Sequence, residues 1–235
     1  MSSPPGNAVG PVAVVVPTYN ERDNIESVVS RVRDGTGEVA DKLAAADSHV
    51  HILHRAGKAG LGTAYIAGFR WALERGYGAI VEMDADGSHQ PEELPTLLAA
   101  LADADLVLGS RWVPGGTVRN WAKSRELLSR SANLYTRLML RISVKDATAG
   151  YRAYRAATLQ RIGLDDVQSQ GYCFQIDLVL RTIRAGLTVT EVPITFVERV
   201  HGASKMSRSV VIEAFWRVAV WGLTGRRGTP SAPAS

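Results

Sequence analysis

Ala79-Ile80-Val81-Glu82-Met83-Asp84-Ala85-Asp86 is the stretch on which the reading of this chain turns. The apolar run at its start reads as a buried strand. The two aspartates stand where that strand gives way to a loop. In open α/β sheets, ligands bind beyond the carboxyl ends of the strands. Two aspartates one residue apart can share a hard divalent cation there. Mg²⁺ takes one or two protein carboxylates and completes its shell with phosphate oxygens and water. The reading is therefore a metal site for a diphosphate. The simpler alternative is a strand end followed by an Asp-rich turn, since Asp, Gly and Ser favour turns. The surrounding segments decide between the two.

Outward from this stretch, strand-like and helix-like segments alternate. Val12 to Val16 is a continuous β-branched run and reads as a buried parallel strand. Asp23, with Glu26 three residues on, resembles a capping box opening a helix to about Arg33. Gly37 to Ala46 reads as a second helix and Val50 to Leu53 as a strand. The glycine-rich Gly57-Lys58-Ala59-Gly60-Leu61-Gly62 follows, without the Gly-Lys-Ser/Thr of a Walker loop. A helix is expected from Thr63 to Arg75, stopping at Gly76. The strand carrying the aspartates runs from Ala79 to Met83. Pro91 suits the first turn of a helix reaching Leu101, and Leu106-Val107-Leu108 reads as a further strand. Such alternation predicts an α/β fold with a mainly parallel, doubly wound sheet and flanking helices. One place breaks it. The first two helices follow each other with no strand between them, and a βαβ unit needs that strand.

The 235 residues suffice for one large α/β domain, and 46% hydrophobic with 21% charged residues is the composition of a soluble globular protein. A net charge of +4 and a pI of about 9.4 are mildly basic. Nucleic acid is not expected as a partner. A phosphorylated substrate or an anionic membrane surface accounts for the charge equally well. A single cysteine, Cys173, excludes an internal disulfide and suits a reducing compartment. Met1 to Pro11 has no signal-peptide pattern, and no apolar run approaches the ~20 residues of a spanning helix. The expectation is a cytoplasmic protein, peripheral at the cytoplasmic face of a membrane.

Val16-Pro17-Thr18-Tyr19-Asn20-Glu21 follows the first strand. Pro17 ends the strand's hydrogen bonding, and Tyr19 and Glu21 could meet a nucleotide base. With this segment, the chain resembles family 2 glycosyltransferases of the GT-A type nucleotide-sugar-binding fold. More narrowly, it resembles the polyprenyl-phosphate (dolichyl-phosphate) mannosyltransferases. Further motifs carry the resemblance: the Gly57–Gly62 loop, MDAD followed by His89-Gln90-Pro91-Glu92, Gly109-Ser110-Arg111-Trp112, Asp146-Ala147-Thr148-Ala149-Gly150-Tyr151-Arg152, and His201-Gly202-Ala203-Ser204-Lys205-Met206. They cover nearly the whole chain from Val12 to Met206.

The resemblance implies GDP-mannose as donor, Mg²⁺ or Mn²⁺ as cofactor and a polyprenyl phosphate as acceptor. By position, Asp84 and Asp86 hold the metal on the donor diphosphate. Ser88 stands where the family often has Gln, which leaves a third protein ligand to water. Pro17, Tyr19 and Glu21 border the base, and Lys58 and Gly60 lie along the nucleotide. Arg111 and Arg125 grip the acceptor phosphate, with Ser129 one helical turn beyond. Arg199 and Lys205 close over the donor phosphates. Asp86, Arg111, Arg125 and Lys205 are the residues expected to act in the transfer itself. That chemistry is coherent from first principles. A sugar leaving its diphosphate needs charge stabilised on the leaving group, which a metal and cationic side chains supply. The nucleophile is a phosphate oxygen already ionised at neutral pH, so no strong general base is required. One in-line displacement would invert the anomeric centre. Arginine forks suit the positioning of phosphate.

Plainer roles stand beside these. Arg111 and Arg125 could be surface salt-bridge partners. Asp146 is either a helix cap or part of the acceptor site. His89 and His201 read as loop hydrogen-bonders. Gln175 and Asp177 match the family; Asp177 could touch sugar hydroxyls or serve as a helix-start carboxylate. Cys173 reads as a small buried hydrophobe.

The resemblance fails at one point. Family members carry a second strand ending in paired aspartates shortly before Asp-Gly-Thr. Here Arg33 runs straight into Asp34-Gly35-Thr36. A segment omitted from the numbering, a deletion, and a naturally degenerate, inactive protein are the competing explanations. The first is preferred, and predicts a break in the chain at Arg33–Asp34, because losing an interior strand leaves raw edges. The rival activities follow: transfer of glucose or another sugar to the same lipid, or a non-catalytic nucleotide-sugar-binding subunit.

The expected organisation is a flexible N-terminus over 1–10, a catalytic domain over 11–206, an amphipathic helix over 207–224 and a flexible tail over 225–235. In that helix Trp216, Val220, Trp221 and Leu223 are expected to be exposed, docking on a membrane surface or a membrane-anchored partner subunit. Packing of Val210 to Phe215 on the enzyme's own core is the alternative for its first half.

Overall fold

A computed structural model describes residues 10–17, 41, 44–55, 60–165, 167, 172–198 and 208–224. Its elements are β1 (Val12–Val15), α1 (Leu61–Glu74), β2 (Ala79–Glu82), a 3₁₀ turn (Pro91–Glu93), α2 (Leu94–Ala100), β3 (Leu106–Ser110), β4 (Thr117–Arg119), α3 (Lys123–Leu140), β5 (Arg152–Arg155), α4 (Ala156–Ile162), α5 (Tyr172–Arg184), β6 (Val189–Pro193), β7 (Thr195–Val197) and α6 (Arg208–Thr224).

Five strands form the main sheet in the order β1-β2-β5-β3-β6. β1 runs parallel to β2, and β3 parallel to β6. β5 is antiparallel to both β2 and β3. Four strands therefore share one direction, and β5 opposes them from the middle of the sheet. β2 and β3 are buried at every position, as strands covered on both faces must be. Their alternate side chains feed two cores. Ile80, Leu106, Leu108 and Tyr154 meet Tyr65 and Phe69 of α1 and Phe174 of α5. Ala79, Val81, Val107 and Ala153 meet Leu97 and Leu101 on the opposite face. That period-2 division places the Asp84–Asp86 loop at the strand ends.

The strand expected at Val50–Leu53 does not form. Its β-branched pattern has no ladder partner among the described residues, and Leu53 is 46% exposed. Among the described residues β1 is the sheet's edge, and its Val14 is 40% exposed. The helix ending at Ala46 is seen at residues 44–46. The helix expected over 24–33 and the Arg33–Asp34 junction lie outside the described residues.

α6 lies along α3 in the same direction. The Tyr135 ring sits 4.6 Å from that of Phe215, and its hydroxyl donates to the Phe215 carbonyl at 3.0 Å. A Cβ at Gly222 would come within 2.5 Å of the Met139 carbonyl oxygen, so the two helices approach closely there. The expected exposure of α6 divides by helical face. Trp216 (72%) and Leu223 (69%), seven residues apart, face outward. Trp221, three residues after the buried Val218, packs against the core instead, and Val220 is half-buried. No helix among the described residues is long and apolar enough to cross a membrane.

Candidate active site

The aspartates are positioned by short bonds of their own loop. The Ser88 N–H donates to Asp86 Oδ1 at 3.1 Å, closing an Asx turn around Gly87. The Asp84 N–H donates to His89 Nδ1 at 3.1 Å, which fixes the His89 tautomer with its proton on Nε2. Burial depresses the His89 pKa and outweighs the pull of Asp84 and Asp86, so the ring is neutral. It stacks on Tyr151 at 5.0 Å and meets the edge of Phe196. Asp84 Oδ1 accepts the Tyr65 hydroxyl at 3.0 Å. A Cβ at Gly150 would stand 3.2 Å from Asp84 Oδ2, a tight contact that the carboxylate would have to yield to by a few tenths of an ångström. The Met83 N–H bonds the Val15 carbonyl, bringing Val16 and Pro17 beside the aspartate loop.

Beneath the loop lies a polar network that the sequence reading missed. Buried Glu82 accepts the Tyr154 hydroxyl (3.0 Å) and the Gln175 amide (2.8 Å). Burial lifts its pKa to about 7, against the opposing effects of Arg152, Gln175 and Tyr154. Arg152 is itself fully buried and donates to the carbonyls of Ala147, Ala149 and Gln175. The available signal was a charged residue at a core-facing strand position, at both Glu82 and Arg152.

The donor set fits a hard divalent cation. No group of three or more His, Cys, Asp or Glu gathers among the described residues. Two carboxylates on one loop remain, with the buried Ser88 hydroxyl, which meets no hydrogen-bond partner among the described residues. That is an all-oxygen set too small to hold an ion alone, as expected where substrate phosphates and water complete the shell.

Arg111 and Arg125 converge on one aromatic ring. Their guanidinium carbons lie 5.4 and 4.3 Å from the Trp121 centroid, hence within about 10 Å of each other. Arg111 is buried rather than a surface partner. Its Nε and Nη2 donate to the two oxygens of Asp146 at 2.7 Å, and Nη2 also reaches Thr148 Oγ1 at 3.0 Å. Asp146 is therefore no helix cap. Burial would raise its pKa, but the Arg111 charge and hydrogen bonds hold the carboxyl below its ordinary value. Asn133 donates to both Asp146 and Thr148. Arg125 pairs with Glu198 and stacks on Trp121. Ser129 sits one turn beyond Arg125 on α3, where its carbonyl accepts the Asn133 amide.

The two halves of the site are tied through β7. The Val197 N–H donates to the Ser88 carbonyl of the aspartate loop, and the next residue is Glu198, on Arg125. Gly60 precedes α1 at φ +96°, in a conformation that glycine adopts freely, and its carbonyl accepts Thr63 Oγ1. Cys173 is buried, and Asp177 bonds Arg181 one turn on. Tyr19, Glu21, Lys58, Arg199, His201 and Lys205 lie outside the described residues.

Residues 30–163 match the family described as Glycosyl transferase family 2. The chain is 55% identical to the polyprenol monophosphomannose synthase of Mycolicibacterium smegmatis, covering 91% of this chain and 87% of the relative. The chain belongs to glycosyl transferase family 2. The undecaprenyl-phosphate mannosyltransferase of Micrococcus luteus is 54% identical, with 92% and 95% of the two chains covered. The first alignment spans 231 positions but draws on 91% of 235 residues, about 214, so about 17 of its positions have no residue here. Glucosyl-3-phosphoglycerate synthase from Mycobacterium tuberculosis, in complex with Mn²⁺, uridine diphosphate and glucosyl-3-phosphoglycerate, superposes with a TM-score of 0.61 at 20% identity, covering 99% of this chain and 88% of that one. The same enzyme with Mg²⁺ and uridine diphosphate gives 0.60 at 19% identity, covering 96% and 82%. These likenesses establish the GT-A fold of this glycosyltransferase.

Proposed function

We propose that this glycosyltransferase moves mannose from GDP-mannose to a polyprenyl phosphate, inverting the anomeric centre and giving polyprenyl-phosphate mannose. Both relatives named above carry that acceptor class in their names. The observation that carries the reading is the link through β7, which joins a carboxylate loop suited to a metal diphosphate with an arginine pair suited to a second phosphate.

Asp84 and Asp86 would hold Mg²⁺ or Mn²⁺. When bound, the ion supplies positive charge to the departing diphosphate. Tyr65 and His89 orient the aspartate loop, and neutral His89 holds the Asp84 backbone without adding charge. Pro17, Tyr19, Glu21, Lys58 and Gly60 line the donor nucleotide, with Arg199 and Lys205 on its phosphates. Arg111, Arg125 and Ser129 receive the acceptor phosphate, whose ionised oxygen is the nucleophile. A lipid acceptor places the enzyme at a membrane surface. Exposed Leu127, Leu134 and Leu138 of α3, with Trp216 of the adjoining α6, supply apolar surface for it.

The absent alignment positions favour a second reading, a subunit that binds ligands without transferring sugar. One experiment separates these. Labelled GDP-mannose and UDP-glucose are offered with polyprenyl phosphate and Mg²⁺ or Mn²⁺. Mannose should enter the lipid fraction, and Asp84→Ala, Asp86→Ala or excess chelator should stop it while the fold persists. Turnover undiminished by chelator removes the metal; incorporation of neither sugar leaves the subunit.

A further inference from the structure

Arg125 is already occupied. Its guanidinium pairs with the Glu198 carboxylate, both side chains being only 26% exposed, and lies 4.3 Å from the Trp121 centroid. The Glu198 backbone is pinned, because its N–H donates to the Arg119 carbonyl at 3.0 Å just beyond the β4–β7 ladder. Only the side chain is free to move. The pair differs from its neighbour. Asp146 is 0% exposed, and its two oxygens are shared among Arg111, Asn133 and Thr148. Among the described residues the Glu198 carboxylate bonds Arg125 alone. One arginine is locked into the framework. The other is held by a carboxylate with a single partner.

We propose that Glu198 sets the affinity of the acceptor site: it competes for Arg125, so that an anion must displace it to reach the guanidinium. The inference rests on the reading that Arg125 receives the acceptor phosphate. A monoester carries between one and a half and two negative charges near neutral pH and offers three oxygens. It gains more from the Arg125 fork than a carboxylate does. A phosphodiester carries one charge, as Glu198 does, and gains nothing by the exchange. At a membrane surface that difference matters. Phospholipid headgroups are phosphodiesters and far outnumber a polyprenyl phosphate. An Arg125 held by Glu198 is screened from them.

The test uses the full chain, GDP-mannose, citronellyl phosphate as a soluble acceptor and glycerophosphoglycerol as a phosphodiester competitor. Glu198→Gln should lower the acceptor KM about fivefold, the size expected for removing one partly exposed ion pair. The donor KM should hold, and the diester should become an inhibitor at a concentration lowered by the same factor of about five, since both anions displace the same carboxylate. Arg125→Gln should raise the acceptor KM, and the double variant should match Arg125→Gln. Glu198→Asp, which keeps the charge, should leave the acceptor KM and the diester inhibition near wild type and guards against a folding defect in the Gln variant. A Glu198→Gln enzyme with unchanged or raised acceptor KM and wild-type diester inhibition, alongside an Arg125→Gln enzyme that loses acceptor affinity, overturns the proposal alone. An Arg125→Gln enzyme with wild-type acceptor KM overturns both the proposal and the reading beneath it.

Discussion

The Tyr65 hydroxyl donates to Asp84 Oδ1 at 3.0 Å from a side chain with no exposed surface. Burial first, and then the charges of Asp84 and Glu82, push its pKa well above the ordinary tyrosine value, so it stays a donor at every working pH. It therefore sets which way the Asp84 carboxylate turns. Partners of this kind commonly change metal affinity 10–100-fold when removed. Tyr65→Phe should weaken Mn²⁺ binding in the presence of GDP about tenfold. The stacked neighbours Phe69 and Phe174 should keep the ring in place. Titration of Mn²⁺ by electron paramagnetic resonance reads this directly, and equal affinity in both proteins would sink the assignment.

Asp146 and Arg125 should separate framework from function. Asp146→Ala leaves the Arg111 guanidinium buried without its counter-charge, a loss of roughly 3–5 kcal/mol for such pairs. Arg125→Ala removes a partly exposed pair and should cost about 1 kcal/mol or less. Urea unfolding measures both. The acid limb tests the same bond. The folded Asp146 pKa lies below its unfolded value, so its contribution is present above the unfolded pKa and is lost as pH falls through the folded one. Wild type should exceed Asp146→Asn in stability above about pH 4, with the margin narrowing as the pH falls below that.

What could be read from sequence followed from patterns that packing merely confirmed. β2 and β3 open on apolar runs, Ala79 to Val81 and Leu106 to Leu108, with buried cover on both faces, and the aspartate loop at the end of β2 followed from them. β5 was illegible because Arg152-Ala153-Tyr154-Arg155 looks polar. Arg152 is buried only because three carbonyls, two from the loop just before it and one from α5, receive its guanidinium. Val50–Leu53 failed for the reverse reason, a strand pattern with no neighbour among the described residues to complete a ladder. Arg111 and Arg125 were legible as candidates for a phosphate site, whereas their protein partners were not. Glu198 lies 73 residues from Arg125 along the chain. No local pattern announces such a contact.

Glu82 gives a pH dependence of opposite sign. Its folded pKa is about 7, above the 4.5 of the free group. Below pH 4.5 both states are protonated, and the shift changes nothing. As pH rises from there to about 7, the unfolded state loses its proton while the folded state keeps it, so stability falls. Above 7 the loss is complete, up to about 3 kcal/mol for this shift. Gln175 supports a protonated Glu82. Its buried Oε1 has no partner, and an amide flip would turn that oxygen toward the Glu82 proton. Glu82→Gln keeps the shape and removes the titration. Its unfolding free energy, measured between pH 5 and 8 without metal, should be flatter than wild type. Parallel curves would show that Glu82 is ionised throughout.

The apolar face beside the proposed acceptor site leads to the last expectation. Leu127, Leu134 and Leu138 are spaced seven and four apart along α3 and are 67%, 49% and 65% exposed. That spacing puts them on one side of the helix. α6 lies alongside in the same direction and turns out Trp216 and Leu223, at 72% and 69% exposure. Arg130 and Arg137 of α3 and the nearby Lys145 line a cavity with Trp112 and Leu134. Aromatic and aliphatic groups with basic residues at their margin suit the interface of an anionic bilayer. Arg125 and Ser129 stand on this same α3. A phosphate could therefore reach the cleft while its isoprenoid chain stays in the lipid. Trp216→Ser with Leu138→Ser should cut co-sedimentation with phosphatidylglycerol vesicles about tenfold, since each removes one exposed apolar anchor. Turnover of citronellyl phosphate, which needs no bilayer, should continue. Vesicle binding at the wild-type level in the double variant would leave this face without a role. Binding lost only in a chain ending near Phe215 would place the contact on the later part of α6 alone.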